Sequence, residues 1–205
     1  SGHKLDIISG ATVTVMVIDD SIVRSAIKVA RALHLGGLAP QVAVGPTVEI
    51  DPAALAADDW LVLQGDGTIR ALNLDVAQVN AAFAAHEDAR AAEFPLTEAP
   101  DATFLDMQLA LVSVPAIAKA VLGEGEAANL AKWLKPGESA VMIAGRGLYS
   151  FKGSGYVRGG IFDRIVLIQD DVSVRLNDKQ HKRLMAVQAP GAPEFPEADL
   201  FKIPA

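Results

Sequence analysis

Cysteine is absent from all 205 residues. Disulfides, thiol nucleophiles, zinc–thiolate sites and iron–sulfur clusters are therefore excluded within this stretch. Aromatic residues are scarce at 5%, so a core must be built from Ala, Val, Leu and Ile, which the 51% hydrophobic content supplies. Basic charge is also in deficit, with 18 Lys and Arg against 25 Asp and Glu for a net charge of −7. Nucleic-acid binding draws on Lys and Arg to displace condensed counterions, so no nucleic acid is expected as a partner. No apolar run approaches the roughly 18–20 residues needed to span a bilayer. The nearest, Leu109 to Ala118, is cut by Pro115 and Lys119 and reads as buried core, although mean hydropathy is high at +0.28. His3, His34, His86 and His181 show no ligand spacing, so no metal site is expected. No Ser-His-Asp set or hydrolytic carboxylate pair stands out, and no catalytic residue is assigned.

What is present reads as an α+β chain of antiparallel strands and packed helices. Ile18, Ile22, Ala26, Ala30 and Leu33 recur at helical spacing, which predicts a helix from Thr14 to Leu33 stopped by Gly36-Gly37. A connector rich in Pro and Ala follows. Trp60 to Gln64 and Thr68 to Leu74 read as strands around Gly65-Asp66-Gly67, with Asp75 capping a helix to about Ala85. Residues 86–102 read as a charged loop. Thr103 to Leu122 reads as a long apolar helix interrupted near Pro115 and closed by Gly123. A shorter helix from Glu124 to Leu134 ends at Lys135-Pro136-Gly137. Strands are expected at Ser139 to Ala144, Ile161 to Gln169 and Val172 to Leu176. The His181-Lys182-Arg183 triplet reads as a solvated face. The Pro-rich segment 188–205 reads as a surface tail, and residues 1–4 as an expression scar.

The segment Asp6-Ile7-Ile8-Ser9-Gly10-Ala11-Thr12 carries the most chemistry. Gly10 allows a sharp turn and close approach of a bulky group. Thr12 precedes the expected helix start, where free N–H groups favour a phosphate. Asp6 is placed to hold the loop. An ordinary helix N-cap would use the same residue types.

A second segment, Gly145 to Arg164, holds Arg146, Lys152, Arg158 and Arg164 with Asp163 as its one acid. It forms a basic patch in an acidic chain. Gly153, Gly155, Gly159 and Gly160 could present N–H groups to an anion, and Tyr149, Phe151 and Tyr156 flat surfaces to a ring. Arg146, Lys152, Tyr156 and Arg158 are the candidates for contact with a flavin or a partner. The alternative is a glycine-rich hairpin with surface charges. The dinucleotide fingerprint is rejected because a strand, not a helix, is expected after Gly155.

The first segment resembles the flavinylation motif of FMN-binding domains in NqrC, RnfG and NosR proteins: Asp, two loose positions, Ser or Thr, then Gly-Ala-Thr. The second, with Val112-Ser113-Val114-Pro115-Ala116-Ile117, is similar to stretches of NosR and NirI proteins. The resemblance implies FMN in phosphoester linkage to Thr12, in a loop formed by Asp6, Ser9, Gly10 and Ala11 and installed by a flavin transferase from FAD. It implies that residues 5–38 are the C-terminal portion of a truncated FMN-binding domain and residues 39–187 a NosR-specific region. The implied parent is membrane-anchored with this part at the periplasmic face. It would transfer electrons in support of nitrous oxide reductase and its maturation factors. A flavin-free docking module and an RnfG- or NqrC-type subunit are the other readings.

Overall fold

The computed structural model describes residues 59–169 and 172–203, which belong to the second of two compact units, Asp51–Ala205. The expected helix from Thr14 to Leu33 and the motif Asp6 to Thr12 lie outside the described residues.

The described part is α+β. One antiparallel sheet of five strands runs in the order Ile69–Asp75 (β1), Thr103–Leu111 (β2), Ser139–Arg146 (β3), Glu197–Ile203 (β7) and His181–Arg183 (β6), and Ile161–Gln169 (β4) and Val172–Asn177 (β5) form a separate hairpin. In chain order the elements are α1 (Trp60–Gly65), β1 (Ile69–Asp75), α2 (Val76–Ala84), β2 (Thr103–Leu111) and α3 (Pro115–Trp133). Then come β3 (Ser139–Arg146), α4 (Gly153–Gly159), β4 (Ile161–Gln169), β5 (Val172–Asn177), β6 (His181–Arg183) and β7 (Glu197–Ile203). Among the described residues, no helix is long and apolar enough to cross a membrane.

Register divides the sheet into two faces, because alternate side chains on a strand point opposite ways. Ala110, Met142 and Leu200 align across β2, β3 and β7, as do Gln108, Ala144 and Ala198. This face packs under α1 and α3 through Trp60, Leu63, Ile117, Val121 and Leu122. The interleaved residues Met107, Leu109, Val141, Ile143 and Phe201 face the other way, toward Phe151, Phe162 and Leu176. Both faces are covered, so β2 carries apolar residues on both and shows no simple alternation of apolar and polar positions.

That double cover overturns the helix expected from Thr103. Residues Thr103–Leu111 are a strand, and Pro115 is the first residue of α3, where its missing N–H costs nothing. Gly123, at φ 76° and ψ 164°, breaks the helical backbone inside α3, so two helical stretches meet there, as the expected stop at Gly123 and restart at Glu124 have it. The backbone carbonyl of Val121 accepts from Gln188 N at 2.8 Å there. The strand expected at Trp60 is likewise α1. Asp59 accepts from Leu61 N at 2.8 Å as its N-cap, and burial of Trp60 and Leu63 follows helical, not alternating, spacing. The expectation at α2 holds: Asp75 and Gln78 form a reciprocal capping box.

The C-terminal third also departs from the expected pattern. Instead of running over the surface, segment 188–205 contains β7, which lies between β3 and β6 with Ala198, Leu200 and Phe201 buried. The triplet His181-Lys182-Arg183 is β6, paired to β7, and the His181 side chain is only 10% exposed. Gly153–Gly159 is a short helix and not part of a hairpin.

Gly147 sits at φ +117°, and a Cβ there would lie 2.7 Å from Phe104 O and 2.9 Å from Thr103 O. Both neighbours are backbone of β2 and cannot step aside. Gly147→Ala is expected to lower stability by about 1–3 kcal/mol, read as a shift in the urea midpoint. An unchanged midpoint would contradict this backbone path.

Candidate functional site

The basic segment splits across the two faces of the sheet. Lys152 and Tyr156 lie on the face covered by the β4–β5 hairpin. Arg146 ends β3 on the opposite face, and Arg158 stands exposed on α4.

On the first face the organising group is Asp199 of β7, with no exposed surface. Lys152 Nζ donates to its Oδ1 at 3.2 Å and lies 2.9 Å from Oδ2. His181 Nε2 meets Oδ1 at 2.5 Å. Aromatic rings close the surroundings. The His181 ring lies 5.0 Å from Phe162, 5.5 Å from Phe201 and 5.7 Å from Tyr156. The Lys152 ammonium lies 5.4 Å from the centre of the Tyr156 ring, which adds a cation–π contact. A buried carboxylate is tolerated only when paired and hydrogen-bonded, and here a lysine and a histidine from separate elements do this. Asp199 and His181 were not singled out from sequence, because they lie far from the glycine-rich segment and in stretches read as tail and solvated face.

The glycines of that segment serve an internal anion. Gly155 N donates to Asp163 Oδ2 at 2.9 Å, and a Cβ on Gly153 would overlap the same carboxylate. Phe151, expected as a surface for a ring, is core at 2% exposure. Tyr149 stacks on Phe104 at 5.3 Å and lies beneath the Arg164 guanidinium at 4.1 Å.

The second face holds a cleft of about 590 Å³ between α1, the ends of β1 and β2, and residues 191–193. Arg146 lines it. Its Nε donates to Asp106 Oδ2 at 2.6 Å, the Asp106 Oδ1 accepts from Gln108 Nε2, and Gln108 Oε1 accepts from Gln64 Nε2 at 2.8 Å. Asp106 and Gln108 are buried, while the Arg146 side chain remains 45% exposed. Among the described residues there is no group of three or more His, Asp or Glu that could hold a metal ion.

The fold and its two polar clusters define an α+β domain with one sealed ionic core and one open cleft. No family model matches the chain, and no solved structure matches it. Curated relatives do. The chain is 42% identical over 201 residues to the regulatory protein NosR of Pseudomonas aeruginosa, across 96% of its own length. It is 41% identical to the regulatory protein NosR of Stutzerimonas stutzeri, across 98%. It is 32% identical to the protein NirI of Paracoccus denitrificans, across 97%. The chain belongs to the NosR/NirI family. It spans 27–28% of the length of these relatives.

Removing Asp199 would leave the Lys152 ammonium and His181 against a ring-lined wall. Asp199→Ala is expected to lower stability by about 3–5 kcal/mol, whereas Arg146→Gln, at a half-exposed ion pair, should cost about 1 kcal/mol or less. Urea unfolding of both variants checks the difference. Equal losses would contradict the division between a sealed and an open cluster.

Proposed function

We propose that this chain is part of a membrane-anchored NosR-type protein that carries covalent FMN at Thr12. In this reading it works at the periplasmic face in a regulatory or maturation role for nitrous oxide reductase, with electron transfer through the flavin. The observation that carries the proposal is the 41–42% identity to two NosR proteins through nearly the whole chain. The motif Asp6-Ile7-Ile8-Ser9-Gly10-Ala11-Thr12 supports it. The name regulatory protein belongs to those relatives, and its extension to this chain is part of the proposal.

A threonine hydroxyl is the right nucleophile for the linkage. Its oxygen would form a bond to the FMN phosphorus of FAD as the pyrophosphate bond breaks. AMP would leave and the hydroxyl proton would be released. A flavin transferase would catalyse this exchange, with Asp6, Ser9, Gly10 and Ala11 shaping the loop. When bound, FMN supplies one- and two-electron chemistry, and the protein positions and tunes it. Nitrous oxide reductase or its maturation factors would be the partners.

Intact mass of the chain co-produced with a flavin transferase tests the proposal. One FMN moiety is expected on the peptide holding Thr12, lost in Thr12→Ala and kept in Thr14→Ala. An unmodified wild-type mass, under conditions that label a control substrate, would overturn the flavin assignment and favour a flavin-free docking module. Flavin surviving in Thr12→Ala would overturn the residue assignment.

A further inference from the structure

We infer that the cleft beside Arg146 binds a small organic oxyanion, a carboxylate or a phosphate ester, with Arg146 as its anchor. This site is separate from Thr12 and does not depend on a flavin there.

The way the guanidinium is held carries the inference. Asp106 grips it at Nε. The two terminal nitrogens make no hydrogen bond among the described residues, and the side chain opens to the cleft. A guanidinium fixed by one edge offers its outer pair of nitrogens as a fork, which matches the two oxygens of a carboxylate or phosphate.

The grip reaches across three elements. Gln64 of α1 fixes Gln108 of β2, Gln108 fixes Asp106, and Asp106 fixes Arg146 of β3. Each acceptor and donor role in this chain is determined, and Asp106 accepts twice. Burying such a polar row costs desolvation that apolar residues would avoid. Further along the same face, Ala110 and Met142 show what plain packing looks like at paired positions. The polar row instead orients one half-exposed cation, as supporting residues do behind a binding group.

The cleft suits a small molecule and excludes a polyanion. Its volume of about 590 Å³ falls within the range of roughly 300–1,000 Å³ seen for ligand pockets. Register places Asn73, Asp106 and Arg146 side by side across β1, β2 and β3, and Asp75 opposite Thr103. Asn73, Asp75 and Thr103 line the cleft with Arg146, and Trp60 and Leu74 add apolar wall. The Asp75 carboxylate would repel a second negative charge and accept from a hydroxyl, amide or amine. The ligand is therefore a compact molecule with one anionic group and hydrogen-bond donors on its remainder.

The test uses nuclear magnetic resonance on the 205-residue chain at low salt, titrated separately with lactate, a hydroxy acid with one carboxylate, and with inorganic phosphate. A saturable shift of the Arg146 Nε–H and of the Gln64 and Gln108 side-chain amides is expected. Saturation by lactate alone assigns a carboxylate, by phosphate alone a phosphate ester, and by both the shared fork. Arg146→Lys keeps the charge but loses the fork, and should weaken the apparent affinity about tenfold or more. Unchanged Phe151 and Phe162 resonances will confirm that its fold is intact. Gln64→Ala, which leaves the ion pair but loosens it, should weaken affinity several-fold. The inference is overturned if neither anion gives a saturable shift, or if Arg146→Lys titrates like the parent chain.

Discussion

A carboxylate with no exposed surface sits on an internal strand of the sheet, and the architecture of that side follows from satisfying it. Asp199 draws Lys152 from the start of α4 and His181 from β6. Those two contacts fix where the basic segment enters its short helix and where the edge strand lies. Phe162, Tyr156 and Phe201 then close over the charges. In so dry a setting an unpaired charge would be costly, so the three elements have little freedom to separate. Asp163 repeats the device on a smaller scale, taking the Gly155 N–H and requiring glycine at 153.

The other face of the same strands follows a different rule. Most of it is apolar and lies under α1 and α3. Toward the start of β2 and the end of β3 it turns polar, and the cover stops short to leave a cleft. Arg146 and Lys152 lie close in sequence and on opposite sides of one sheet. One is enclosed as a structural counter-ion, and the other is held open. Alternation along β3 and the turn through Gly147 separate them.

Legibility in the sequence depended on whether a signal was local. The cap at Asp75 and the Lys135-Pro136-Gly137 stop are local, and α2 and the end of α3 were readable from them. Thr103–Leu111 was not, because a strand buried on both faces shows neither helical nor alternating periodicity. Trp60–Gly65 misled through its β-favouring residues, and Asp59 as a cap decided the outcome. Within the polar clusters, charge density pointed to Arg146 and Lys152. Asp106, Asp199 and His181 were hidden, since their roles arise from strand pairing across long separations in sequence. The flavin motif is the reverse case: a short pattern read by resemblance, at residues outside those described.

The central structural claim is that one polar cluster holds the fold while the other is kept for binding. Two double-mutant cycles measured by urea unfolding test it most directly, one on Asp199 with Lys152 and one on Asp106 with Arg146. A coupling of roughly 2–3 kcal/mol is expected for the sealed pair and about 1 kcal/mol or less for the open one. A coupling across Asp106 and Arg146 equal to or larger than that across Asp199 and Lys152 would contradict it.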